Sequence, residues 1–190
     1  MLTEVFQFIA SSEYKKLGLE YIEINLSVSQ CMHHGLADSI LESMSRYGVS
    51  SNQVNLEITE SAASYDQSVM SENLEQLSAV GLTFSLDDYG TGYSNMYRIA
   101  ALPLKIVKLD KTFVNNQNSK MWTILQNTVR MIKDLNMEIV VEGIETEEMV
   151  KKFSDLKCDF IQGYFFSKPI PQREFVEFID RWNNRQKVNA

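Results

Sequence analysis

Residues 82–95 read LTFSLDDYGTGYSN. Alternate positions separate cleanly: Leu82, Phe84 and Leu86 fall on one face of an extended strand, Ser85 and Asp87 on the other. The strand then ends in two adjacent aspartates, and a glycine-rich turn follows at once. Two buried neighbouring carboxylates repel, so such a pair must take up a proton or share a cation.

The same split recurs along the chain. Apolar strand-like runs are YIEINL (21–26), VNLEI (54–58), LTFSLD (82–87), KIVKLD (105–110), EIVVE (138–142) and CDFIQ (158–162). Amphipathic stretches such as LADSILESMSRYG, MSENLEQLSAVG and MWTILQNTVRMIKDLN lie between them, and Gly48 and Gly81 stand where helix C-caps are expected. Strand and helix in alternation imply parallel βα units. A doubly wound sheet, covered on both sides, would be apolar on both faces of its central strands. Here one face is apolar and the other carries Glu23 and Asn25, Asn55 and Glu57, Ser85 and Asp87, Lys108 and Asp110, Glu138 and Glu142. That favours an α/β fold of the TIM-like (βα) barrel type, with the polar face lining the interior and its mouth.

The strand ends, in order, present Asn25, Glu57, Asp87 with Asp88, Lys108 with Asp110, Glu142 and Gln162. Carboxylate and amide oxygens suit hard cations such as Mg²⁺ or Mn²⁺. Adjacent Asp87 and Asp88 can serve two ions about 3.5–4 Å apart, an arrangement used for phosphoester hydrolysis. Lys108 beside them could orient water or stabilise charge in the transition state. A single acid at a strand end is commonly a solvated loop residue or a cap; a set on one face of consecutive strands is not explained that way.

Composition limits the alternatives. The chain has 190 residues, 44% hydrophobic and 23% charged, which suits one globular domain. The net charge of −7, without a basic stripe, argues against DNA or RNA polymers as partners. No apolar run approaches the about 18 residues of a membrane span, and the opening residues lack the features of a signal peptide. Cys31 and Cys158 read as free thiols of a reducing compartment, hence a cytoplasmic location. His33 and His34 are adjacent and make a poor metal pair, and the nine methionines read as core filler.

The motifs INLS (24–27), LEITES (56–61), DDYGTGYSN (87–95), VKLD (107–110), VEGIET (141–146) and QGYFFSKPIP (162–171) resemble, in order and spacing, the EAL-domain family of bacterial cyclic di-GMP phosphodiesterases. The resemblance implies hydrolysis of cyclic di-GMP to linear pGpG with two divalent cations, Mg²⁺ or Mn²⁺. By the same resemblance Asn25, Glu57 and Asp87 hold a first metal, and Asp87 with Asp88 a second. Glu142 lies near the second metal and the attacking water, Lys108 is the catalytic lysine, and Asp110 and Gln162 are substrate or supporting residues of the same mouth. Glu60 anchors the loop after DDYG, which the family ties to metal binding and to homodimerisation. Family members often carry an upstream sensor or cyclase domain, and the full-length protein can be membrane-attached. Tyr89 and Asn95 depart mildly from the family pattern. The Glu-Ala-Leu segment that names the family, with its metal-binding glutamate, does not occur in the chain. The expectation is therefore a single EAL-type domain over 1–190 that lacks its N-terminal strands, with about six of eight present and roughly sixty residues missing from a complete barrel. A binding module or scaffold derived from such an enzyme is the alternative.

Overall fold

The structure is a computed structural model that describes residues 2–64, 68–91, 96–115 and 118–188; the end of the quoted turn, with Asn95, lies outside them. Six parallel strands form one sheet in sequential order: β1 (Ile22–Leu26), β2 (Val54–Thr59), β3 (Thr83–Tyr89), β4 (Leu104–Leu109), β5 (Glu138–Val141) and β6 (Phe160–Ile161). Helices cross between them, as parallel pairing requires.

The helices follow their apolar stripes. In Leu36–Tyr47 the residues Leu36, Ala37, Ile40 and Met44 are buried, and Gly48 ends the helix at φ 65°, its N–H bonded to the carbonyls of Met44 and Ser45. In Ser119–Asp134 the residues Leu125, Thr128, Val129 and Ile132 are buried, and the Asn118 side chain accepts the Met121 N–H at the N-terminus. On the sheet, Ile24, Leu26, Leu56, Ile58, Phe84, Leu86, Val107, Leu109, Ile139 and Val141 are all 2% exposed or less. These are the positions that alternation assigns to the helix-facing side. Burying one such side chain stabilises the fold by about 1.5–3 kcal/mol before entropy is subtracted.

The sheet is curled. Strands lie about 4.8 Å apart, so β1 and β4 on a flat sheet would be separated by three such steps, with side chains standing perpendicular to it. Yet Lys108 Nζ on β4 reaches to 3.8 Å from Glu23 Oε2 on β1. The polar face is therefore concave, and this is a (βα) barrel with six strands. The barrel is open on one side. Among the described residues β1 pairs only with β2 and β6 only with β5, and a cleft of about 760 Å³ lies between those two edges, lined among others by Tyr21, Glu23, Phe160, Gln162 and Tyr164.

Two details differ from the alternation. The interior is not wholly polar, because Ile106 and Val140 are buried there as well, at 0% and 5% exposure. β6 is shorter than the run 158–162. Its backbone bonds to β5 continue at Asp159 N to Ile139 O (3.1 Å) and Gln162 N to Val141 O (2.8 Å). With a partner on one side only, the strand ends where Gly163 turns the chain.

Candidate active site at the strand ends

Neighbouring side chains on a regular strand point to opposite faces, so Asp87 and Asp88 need a device to share one mouth. The register supplies it. Leu86 pairs with Val107 and Tyr89 with Leu109, which leaves β3 one residue longer than β4 across this interval. The extra residue is a bulge, and Asp88 takes φ 57° within it. Aspartate tolerates the left-handed region better than most residues. The bulge is tied down on several sides. Asp110 N–H donates to Tyr89 O at 3.3 Å and Thr91 N–H to Asp88 O at 3.2 Å. Gly90 N–H donates to Glu60 Oε2 at 3.0 Å. Gly90 itself has φ 99°, and a Cβ there would meet Phe113 Cε2 at 2.1 Å. The Tyr89 ring stacks on the same Phe113 at 6.3 Å.

Lys108 stands at the centre. Its Nζ lies 2.6 Å from Glu57 Oε1, 2.8 Å from Glu142 Oε1, 3.5 Å from Asp87 Oδ1 and 3.8 Å from Glu23 Oε2. Glu57, Asp87 and Glu142 bring oxygens within 4.8 Å of one another, and so do Asp88, Asp110 and Glu142. Glu142 belongs to both groups, which makes one continuous cage. Burial pulls the Lys108 ammonium down, but its hydrogen bonds to Glu142 and Glu57 and their charges outweigh it, so its pKa is raised. Burial pushes Glu57 up to about 7, and Asp87 adds to this against the pull of Lys108. Glu142 and Asp88 are raised too, burial leading in both and like charges adding. A firm ammonium beside raised carboxylates looks contradictory for an ion pair. The count resolves it: one positive charge serves four acids within 4 Å. The cage is short of positive charge.

Asp87 Oδ1 is buried with no hydrogen-bond partner. A buried carboxylate oxygen whose cationic neighbour is only the shared Lys108 ammonium at 3.5 Å, among oxygen donors with excess negative charge, fits a hard divalent cation. Asn25 pairs in register with Glu57, so it stands on the concave face at the open edge, and it is exposed. Gln162 is exposed on the other edge. It lines a second cavity of about 330 Å³ with Asp88, Asp110, Glu142 and Tyr164. Asp110 stands in the same mouth, beside Asp88 and Glu142. It joins an acid group directly while its Oδ1 accepts the Thr112 N–H at 2.8 Å. His33 and His34 are exposed.

Three features escaped the sequence reading. Glu23 was placed on the polar face but not in the site. Phe113 gives no signal in sequence beyond an apolar residue after VKLD. Gly163 is packed so closely that a Cβ would meet Ile144 O at 2.0 Å, which clamps the segment after Glu142 to the end of β6.

An open (βα) barrel with a lysine-centred acid cage at the C-terminal ends of its strands defines the class. The EAL domain family matches residues 1–169, and the chain belongs to it. It is 36% identical over 160 residues to the bifunctional diguanylate cyclase/cyclic di-GMP phosphodiesterase MucR of Pseudomonas aeruginosa, a match that covers 83% of this chain and 23% of that protein. The chain spans only part of the length of its curated relatives, 22% of the oxygen sensor protein DosP of Escherichia coli and 41% of the cyclic di-GMP phosphodiesterase RocR of Pseudomonas aeruginosa. Among solved structures it resembles the PaMucR phosphodiesterase in complex with c-di-GMP, with TM-score 0.83, 34% identity and coverage of 92% of this chain and 71% of that one. It also resembles Klebsiella pneumoniae BlrP1 in its manganese/cy-diGMP complex, with TM-score 0.78, 25% identity and coverage of 88% and 43%.

Proposed function

We propose that this chain carries the catalytic site of a cyclic di-GMP phosphodiesterase, which hydrolyses one phosphodiester of the ring to linear pGpG. The observation that carries the reading is the acid cage around Lys108, in which Asp87 Oδ1 is buried without a hydrogen bond, in a chain of the EAL family. The relatives whose names include cyclic di-GMP phosphodiesterase, and the solved complexes with that nucleotide, support the substrate. Asn25, Glu57 and Asp87 would hold a first divalent cation, and Asp87 with Asp88 a second, Mg²⁺ or Mn²⁺ by their oxygen donors. Divalent cations bound there lower the pKa of water and neutralise charge on the phosphate. Lys108 holds its proton throughout and supplies a fixed positive charge against the charge that develops in the transition state. Glu142 contacts Lys108 and joins both acid groups, so it is placed to accept a proton from attacking water. Glu60, through Gly90, keeps the bulge that aims Asp88.

In this reading the six described strands form a barrel of the EAL type that is open between β1 and β6. The unpaired edges of β1 and β6 and the cleft between them support this. They also favour a second reading, in which the chain by itself binds cyclic di-GMP without cleaving it, since the mouth has no wall on that side. A homodimer, a cytoplasmic setting and upstream sensor or cyclase domains follow from the family resemblance. The test is turnover of cyclic di-GMP with Mn²⁺, followed as pGpG by chromatography. Product that vanishes in Glu57→Ala supports the enzyme. Binding of the nucleotide without product supports the receptor.

A further inference from the structure

Among the described residues Glu23 is the one carboxylate within 4 Å of Lys108 that belongs to neither acid group. Its register partner is Asn55, whereas Asn25 pairs with Glu57. Glu23 therefore sits one layer deeper in the barrel than the cage, on the side of Lys108 away from the mouth. Its side chain is 24% exposed and its Oε2 lies 3.8 Å from Lys108 Nζ.

Its other oxygen is poorly served. Ser85 Oγ lies 3.0 Å from Glu23 Oε1 and 2.6 Å from Asn55 Oδ1. A serine hydroxyl has one proton to donate, and Asn55 is held in place by its own donation to Thr83 Oγ1 at 2.9 Å. One proton cannot serve both acceptors at once, so Glu23 Oε1 has at most a shared donor in Ser85. The nearest cationic donor is Lys108.

An ammonium offers three N–H groups. In the cation-free protein the short contacts go to Glu57 and Glu142. Both are cage acids. A divalent ion held by these carboxylates would compete for their oxygens and repel the ammonium, which would weaken the hold of Lys108 on its present partners. Resting on the reading that the cage holds divalent cations, we propose that Glu23 is the positioning residue that receives the Lys108 ammonium when the cage fills. Glu23 frees Glu57 and Glu142 for the ion and keeps Lys108 charged and aimed from below.

The test is a double-mutant cycle read by Mn²⁺ affinity in isothermal titration, with no substrate present. Glu23→Gln keeps the shape and the Ser85 acceptor but cannot receive an ammonium as a charge. With Lys108 present, Glu23→Gln is expected to weaken Mn²⁺ binding by about three- to tenfold, within the range of coupling between contacting residues. In a Lys108→Met background the same change is expected to have a clearly smaller effect, because no ammonium competes for the cage. Glu23→Asp, one methylene shorter, should lie between Glu and Gln, and it carries the cycle if the glutamine variant loses its far-ultraviolet circular dichroism. Equal effects in both backgrounds would mean that Glu23 acts only as bulk negative charge, and would overturn the proposal. So would unchanged affinity in Glu23→Gln. No Mn²⁺ uptake by the unaltered chain would instead sink the cation reading itself.

Discussion

Lys108 Nζ lies 2.6 Å from Glu57 Oε1, across β3, which runs between their strands. This contact ties the floor of the site together, and both side chains are nearly inaccessible to water, at 4% and 6%. Removing one member of a buried pair leaves an uncompensated charge, which costs about 3–5 kcal/mol. Lys108→Met is thus expected to lower cation-free stability by about that amount in urea titration, and Mn²⁺ to restore more stability to the variant than to the parent. Turnover should fall by about a hundredfold or more, as loss of one transition-state donor does elsewhere. A variant as stable as the parent in EDTA would show that the cage does not depend on this ammonium.

The acids set a pH dependence whose sign follows from their raised pKa values. Burial holds Glu57 at about 7 against an ordinary 4.5, and Glu142 and Asp88 move the same way. Between those values the folded protein keeps protons that the unfolded chain has released, so stability falls as pH rises. The melting temperature of the EDTA-treated protein should drop between about pH 5 and about pH 7.5. Cation binding must expel the same protons, so Mn²⁺ affinity should rise over that interval and level off above it. Affinity independent of pH there would mean that Glu57 is already ionised in the cation-free cage.

The strands and the polar face they share were largely legible in the sequence, because one period, two, governs both. The side chains that alternate away from the helices are the ones that line the concave face, and Glu57, Asp87, Lys108 and Glu142 meet there. The convergence of Asp87 and Asp88 was legible as chemistry but not as geometry, since alternation sends them apart and only the register shift against β4 brings them together. Phe113 was invisible for a related reason. Its task is set by the missing side chain of Gly90, and a contact defined by an absence leaves no pattern along the chain. Glu23 was read as part of the interior face, but its distance to Lys108 depends on the curl of the sheet, which no local spacing encodes.

Gly90 and Phe113 together make a prediction about the bulge that carries Asp88. Gly90→Ala meets both a left-handed φ of 99° and the Phe113 ring at 2.1 Å. The substitution should destabilise by about 1–3 kcal/mol and reduce turnover by more than the loss of fold explains, because the bulge that aims Asp88 moves. Phe113→Ala should cost less in the Gly90→Ala background than alone, since the cavity it opens accommodates the new methyl group. Strictly additive costs would place the effect of Gly90 in its backbone conformation alone.

Asp88→Asn separates the conformation of the bulge from its charge. Asparagine has the same shape and also tolerates the left-handed region, so φ 57° and the bonds from Thr91 should survive. It removes one of the crowded charges, with Asp87, Asp110 and Glu60 all raising the Asp88 pKa after burial. Cation-free stability should therefore stay level or rise slightly in thermal melts near neutral pH. The cost should appear on loading: equilibrium dialysis with Mn²⁺ is expected to give about one ion per chain where the parent takes two, as befits a two-ion site that has lost a carboxylate. Asp88→Ala should show the same stoichiometry with a lower melting temperature, because alanine gains nothing from the left-handed turn. Two ions retained in Asp88→Asn would show that Asp110 and Glu142 hold the second ion without Asp88.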